Sequence, residues 1–317
     1  MIDWRFWGLI AFLLLIMLLA TLLQPLAQRV IKRPLNRAVL AFARDRVRNG
    51  WTFLFAAWAA VAIHPAIALI LFAGISFLGL REFLTRTPAN AADYRALFVA
   101  FFVLIPLQYL VVGWGRYAVF SVLIPVYAFF LLPSLSALAN DPKEFFSRAA
   151  KLQLGVMLAV YCISHIPATL TLRIQGWDRW DDHPAYLLLF CALVTQTADV
   201  VQYAVSRTVG KRRIARTVAR YLTLEGIGAG LLAAMLVGLF LYWYVPFNLI
   251  TTAGVAAATA GTGFLGTLVL GGIKRSTGAQ DWGEANDGRS STLDRLASMC
   301  FAAPVFYHLT RAFTNVV

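Results

Sequence analysis

The sequence predicts an all-α, polytopic integral membrane protein with about nine transmembrane helices and a short C-terminal apolar helix. Three observations predict it. The 317 residues are 60% hydrophobic and only 14% charged, against about 25% charged in soluble domains. The apolar residues fall into runs near the roughly 20 residues that a helix needs to cross a hydrocarbon core. Period-two alternation is absent, which argues against a β-barrel.

The first run, Phe6–Leu23, follows a single Arg and lacks a small-residue cleavage site. It reads as a retained span rather than a signal peptide. Trp51–Leu80 holds either one kinked span or two short ones hinged at His64–Pro65. Further spans are expected at Ala96–Gly113, Tyr117–Leu132, Leu152–Leu172, Ala185–Val205, Ile227–Val245 and Leu249–Ile273, with Met299–Leu309 as the short final piece.

The positive-inside rule decides between the two readings of Trp51–Leu80. With a hairpin of Trp51–Ile63 and Ala66–Leu80, the segments 24–50, 81–95, 134–151, 206–226 and 274–298 share one side and carry 23 of the 28 Lys and Arg residues. Arg5, Arg116, Arg173 and Arg179 lie on the other. A single span would put most basic residues outside. The hairpin is therefore expected, in a multi-pass protein of the cell membrane, with the charged loops on the cytoplasmic face of a bacterial inner membrane. The chain divides into an N-terminal transmembrane region, 1–150, and a C-terminal one, 151–317.

The net charge of +13 is accounted for by these topology signals rather than by nucleic-acid binding, for which the spans leave no module. Cys162, Cys191 and Cys300 lie in apolar segments and form no CxxC pair, so neither a disulfide framework nor a zinc site is indicated. The string GTGFLG, Gly261–Gly266, has the form GxGxxG but no preceding strand. In a span rich in small residues it reads as a helix-packing surface.

Chemistry concentrates in a polar island at residues 274–298, KRSTGAQDWGEANDGRSSTLDRLAS. Asp281, Asp287 and Asp294 are hard oxygen ligands of the kind Mg²⁺ uses together with substrate phosphates. Lys274, Arg275 and Arg295 suit phosphate. Acid and base together point to a metal–phosphate site. Two upstream carboxylates join the candidates. Asp199, in TQTADVVQY, lies within the last turns of an apolar helix, where an ionisable residue marks function unless it reaches headgroup water. Glu225, in YLTLEGIGAG, opens the next span, where a carboxylate also complements the helix dipole.

The island resembles the C-terminal signature of the CDP-diacylglycerol synthase (phosphatidate cytidylyltransferase) family. That pattern runs K-R, four residues, K-D, then G-H-G-G, then L-D-R-x-D-S. Here Lys274-Arg275 are followed by four residues and Gln280-Asp281; Gly288-Arg289-Ser290-Ser291 take the next slot; Leu293-Asp294-Arg295-Leu296-Ala297-Ser298 close it without a gap. TQTADVVQY resembles the family's Asp-bearing helix end, and Leu224-Glu225-Gly226 the close of its S-P-x-K-T-x-E-G loop. The resemblance covers residues 185–310; upstream it rests on hydropathy and on Arg81-Glu82-Phe83. Ala219-Arg220-Tyr221-Leu222 stand where the loop has S-P-x-K, and Gln280, Arg289, Ser290, Ser291 and Ala297 also depart from the pattern.

The resemblance implies CTP and phosphatidate reacting to CDP-diacylglycerol and pyrophosphate with Mg²⁺. It implies Asp199, Asp281 and Asp294 at the metal, Asp281, Asp294 and Glu225 in catalysis, and Lys274, Arg275, Arg295 and Arg289 on phosphate or nucleotide. The expected partners are CTP, phosphatidate and membrane lipids, without nucleic acid; a homodimer is an admissible assembly. The alternative is a catalytically impaired or repurposed relative that binds lipid or nucleotide. A CDP-alcohol phosphatidyltransferase is disfavoured because Asp287-Gly288 is not followed by the A-R of its motif. A transporter is disfavoured because the charges gather at span ends.

Overall fold

The computed structural model describes residues 4–30, 34–87, 91–175, 184–219, 221–278 and 292–314, with backbone alone at 4–5, 24–30, 34–37, 91 and 295. Among the described residues the fold is helical, and the one β pairing is an isolated bridge between Arg213 and Thr223. The helices are α1 (Trp4–Val30), α2 (Pro34–Ala62), α3 (Pro65–Arg86), α4 (Tyr94–Gly113), α5 (Tyr117–Ala137), α6 (Phe145–Thr171), α7 (Ala185–Thr208), α8 (Leu224–Phe240), α9 (Leu249–Ser276) and α10 (Thr292–Phe313). Seven of them are long and apolar enough to cross a membrane, and α8 is a shorter apolar helix. The all-α, polytopic class holds.

α4, α5 and α6 each widen into a π-helical stretch, at Ala100–Leu104, Leu123–Ala128 and Met157–Cys162. Pro106 and Pro167 lie just beyond the first and third, and Pro125 inside the second. A proline removes a backbone donor and pushes on the carbonyl four residues back, and a wider turn relieves both.

The hairpin expected from the charge count is present. His64 is extended (φ −166°, ψ 140°), its Nδ1 accepts the Ala66 N–H at 3.2 Å, and Pro65 opens α3. Pro supplies a helical φ where the N–H has no intrahelical acceptor, and it disfavours helix in the residue before it.

The segment 24–50, expected as a loop, is a correction. α1 runs on to Val30 and α2 starts at Pro34, so Trp51–Ile63 falls in the second half of a 29-residue helix that ends at Ala62. Its charged first half stays helical because it docks on α7. Phe42 stacks on Tyr203 with ring centroids 4.3 Å apart, and Arg46 pairs with Asp199. The final apolar piece is likewise longer than Met299–Leu309: α10 is a 22-residue helix that includes Asp294.

α10 runs through the middle of the bundle and touches α2, α3, α6, α7 and α9. Leu293, Met299, Ala302, Ala303 and Phe306 are buried on it. Its approach to α9 depends on the small residues of that helix. A Cβ at Gly266 would meet the Ala297 carbonyl oxygen inside contact distance and lie 2.8 Å from Phe301 Cδ2; one at Gly263 would lie 3.3 Å from Ser298 Cβ. GTGFLG is thus a packing surface.

The alternation of helix directions gathers one set of ends together: the starts of α4, α6, α8 and α10 and the finishes of α3, α5, α7 and α9, with the first half of α2 laid against them. The loops there are tied by a buried clamp. Arg148 of α6 pairs with Asp93 (3.1 Å) and Asp141 (3.2 Å), and its Nη2 donates to the Asp141 carbonyl oxygen at 3.0 Å.

Candidate active site at one end of the bundle

Asp199 lies two turns from the end of α7, with its side chain only 5% exposed. A carboxylate so buried keeps its charge only with a cation and hydrogen bonds around it. Both are supplied from distant parts of the chain. Arg46 of α2 places Nη2 at 3.0 Å from Asp199 Oδ2, and Ser298 of α10 donates its hydroxyl to the same oxygen. Thr195, one turn earlier on α7, donates to Met299 Sδ at 2.9 Å and fastens the same two helices.

Four residues before Ser298, on the same face of α10, is Asp294. The two Cβ atoms are about 6 Å apart by helix geometry. Asp294 forms an ion pair with Lys274 at the end of α9. Glu82, near the end of α3, accepts the Thr292 N–H at 2.8 Å through Oε2. A carboxylate there meets one of the backbone donors that the first turn of α10 leaves without an intrahelical acceptor. Asp199 and Glu82 therefore meet α10 from two other helices within two turns of its start, where Asp294 itself lies, with Arg46 paired to Asp199 and Lys274 to Asp294.

Glu225 stands at the start of α8, two residues ahead of the apolar stretch that begins at Ile227. Its carboxylate accepts the backbone N–H groups of Lys211 and Arg212 at 3.2 Å. Its own backbone N–H, with those of Arg212 and Lys211, holds its carboxyl below the usual carboxylate range. The loop between α7 and α8 is tied further. Gln202 Nε2 donates to Ser206 Oγ and to the Tyr221 carbonyl, each at 2.9 Å; Ser206 and Thr223 hydroxyls are 2.9 Å apart; Thr223 caps α8 by accepting the Gly226 N–H at 3.1 Å. The approach of α8 to α7 requires Gly226, where a Cβ would collide with Ser206 Oγ and stand 2.8 Å from the Gln202 carbonyl oxygen. The result is a fixed loop presenting Lys211, Arg212, Arg213 and Arg216 to solvent. Leu222, in the position of the lysine in the resembled loop, is buried.

Of the residues singled out in the sequence, Asp199, Lys274 and Asp294 are brought to the start of α10, and Glu225 ties the neighbouring loop. Arg275 is exposed in the last turn of α9, and Arg295 follows Asp294 on α10. Asp281 and Arg289 lie outside the described residues, as do Asp287, Gln280, Ser290, Ser291 and Arg220. Among the described residues no group of three His, Cys, Asp or Glu side chains is arranged to hold a metal ion.

Arg46, Ser298 and Glu82 were not anticipated as site residues. A signal for Arg46 was present: Phe42, Arg46 and Asn49 recur at helical spacing and share one face. Gln196, one turn before Asp199 on α7, is a further unanticipated feature. It is buried, and neither end of its amide has a hydrogen-bond partner among the described residues.

The model of the cytidylyltransferase family matches residues 44–313, a range that takes in Arg46, Asp199, Glu225, Lys274, Asp294 and Ser298. The chain belongs to that family, and its class is nucleotidyltransferase. It is 30% identical over 270 residues to the uncharacterized protein YnbB of Escherichia coli, covering 84% of this chain and 86% of that protein. It is 27% identical over 172 residues to a phosphatidate cytidylyltransferase of Haemophilus influenzae, covering 51% of this chain and 58% of the relative. It is 26% identical over 158 residues to a phosphatidate cytidylyltransferase of Staphylococcus aureus, covering 49% and 60%. The chain thus matches less than two thirds of the length of these two enzymes.

Proposed function

We propose that this protein is a CTP-dependent phosphatidate cytidylyltransferase, making CDP-diacylglycerol and pyrophosphate from CTP and phosphatidate. The observation that carries the reading is the hydrogen bond from Ser298 to Asp199 beside the Lys274–Asp294 ion pair. It joins two segments, 195–203 and 293–298, that resemble the same family's motifs and stand 99 residues apart at the bonded pair.

In this reaction a phosphate oxygen of phosphatidate attacks the α-phosphorus of CTP. The new P–O bond forms as the bond from that phosphorus to the α–β bridging oxygen breaks, and pyrophosphate leaves with the electron pair. Mg²⁺, when bound, neutralises the triphosphate and the leaving pyrophosphate. The donor set fits such an ion: Asp199 and Asp294 are hard oxygen ligands, and Mg²⁺ is commonly held by one or two carboxylates with phosphates and waters. Asp281 is the third metal ligand in this reading. Lys274, Arg275, Arg295 and Arg289 hold phosphates, and Glu225 keeps the α7–α8 loop in shape for the nucleotide. The site lies at the membrane end that carries most of the basic residues. That charge bias supports a cytoplasmic orientation, in which CTP enters from water while the phosphatidate tails stay in lipid.

The test is an assay of the purified protein with labelled CTP, phosphatidate and Mg²⁺, with and without chelator. Chelator-sensitive formation of lipid-extractable CDP-diacylglycerol is expected; product at the level of the protein-free blank contradicts the activity. A second reading, a relative that binds nucleotide and lipid without turnover, is favoured by Leu222, which turns an apolar side chain into the core at the loop position of the motif lysine. Saturable CTP binding without product distinguishes it.

A further inference from the structure

We propose that Arg46 is a substrate-binding residue of this site: it is the counter-ion of Asp199 in the chain by itself, and it passes to a substrate phosphate when a divalent cation takes that carboxylate. The inference rests on the reading of Asp199 as a metal ligand.

Arg46 and Asp199 are both nearly buried, with side chains 8% and 5% exposed, and 3.0 Å apart. Such a pair is held together because either charge alone in that environment is costly. A divalent ion at Asp199 would bring three positive charges against one carboxylate, and their mutual repulsion is large where water is excluded. A guanidinium displaced from Asp199 is drawn to an anion arriving within reach. Phosphate is the anion that the proposed reaction delivers, and the planar guanidinium fork matches it. The aromatic face under Arg46 makes the exchange local. Its guanidinium lies 4.8 Å from the Phe42 ring, and Phe42 is itself stacked on Tyr203 of α7. That platform keeps the cation in place while its anionic partner changes. Lys274 and Asp294 form a second carboxylate–cation pair one helical turn away, so the site meets its ligands with both positive charges already positioned.

Two measurements on the full-length protein in detergent test the exchange. In the first, Asp199→Asn removes the Asp199 charge from beside Arg46, and binding is measured in EDTA, in one arm to CTP and in another to phosphatidate in mixed micelles. The phosphate that Arg46 serves is expected to bind about tenfold tighter than to wild type, the lower end of what close charge pairs carry. Adding Arg46→Gln abolishes the gain. The arm that gains identifies which phosphate is held; no gain in either arm overturns the proposal. In the second, Mn²⁺ is titrated without nucleotide and followed by electron paramagnetic resonance. Arg46→Gln is expected to bind Mn²⁺ about tenfold tighter than wild type, and Arg46→Lys to stay near wild type. Equal affinity in wild type and Arg46→Gln overturns the exchange and leaves the metal reading standing. No Mn²⁺ binding by either, with CTP present as well, overturns the metal reading and the exchange together. The measurements use different single variants, so a folding failure in one leaves the other decisive.

Discussion

Ser298 donates its hydroxyl to Asp199, joining α10 to α7 at the same carboxylate oxygen that Arg46 of α2 meets from another side. Three helices from distant parts of the chain therefore converge on one oxygen.

Ser298→Ala removes the donor and leaves the buried carboxylate with one partner fewer. A hydrogen bond to a charged group contributes about 1.5–3 kcal/mol. Thermal unfolding in detergent is expected to show a loss in that range, with a parallel fall in product formation. Unchanged stability and unchanged activity together contradict a role for Ser298.

Gly266→Ala tests whether close packing of α9 on α10 sets the site. The added Cβ meets the Ala297 carbonyl oxygen and Phe301, so the helices must separate. Overpacking of this kind costs about 1–3 kcal/mol, and the shift carries Asp294 and Ser298 with it. Gly254→Ala, on the same helix with nothing within 4 Å of the new Cβ, is the control and is expected to be neutral. Equal melting temperatures for the two variants contradict the packing account.

Much of the fold is legible in the sequence because lipid imposes length and polarity rules that each span obeys locally. The hairpin at His64–Pro65 follows from counting Lys and Arg, and the structure has it. The first half of α2 is not legible that way. A hydropathy window reads Arg44, Arg46 and Arg48 as loop, whereas Arg46 is inside the protein because its partner is Asp199, far along the chain. The start of α10 was misjudged for the same reason: Asp294 is polar but paired with Lys274. Of the site, Asp199, Lys274 and Asp294 could be picked out as charges at span ends; Arg46, Ser298 and Glu82 take part through long-range pairing, and the helical spacing of Phe42, Arg46 and Asn49 marks a shared face without naming the partner.

Glu225→Ala removes the acceptor of two backbone N–H groups in the α7–α8 loop. The basic segment 211–216 is then expected to become a faster trypsin target, and CTP affinity to fall about tenfold. Glu225→Gln keeps an acceptor oxygen and is expected to be milder on both counts. Cleavage at the wild-type rate in Glu225→Ala contradicts the tethering role.

Arg148→Met removes the clamp between α6 and the loops bearing Asp93 and Asp141, residues to which no substrate contact is assigned. Removing the cation beside the buried Asp93 costs about 3–5 kcal/mol, and adding Asp93→Asn is expected to recover part of it. Unfolding of the two variants and the wild type, compared in one detergent, decides. No recovery in the double variant contradicts the pairing as the source of the loss.

The most direct measurement is turnover of labelled CTP and phosphatidate to CDP-diacylglycerol by the wild-type protein and by Asp199→Asn, both shown to be folded. The expected result is chelator-sensitive product from the wild type and a loss of at least about a hundredfold in the variant, the upper range for disturbed metal-site groups. Undiminished product from Asp199→Asn contradicts the assignment of this helix end as the active site.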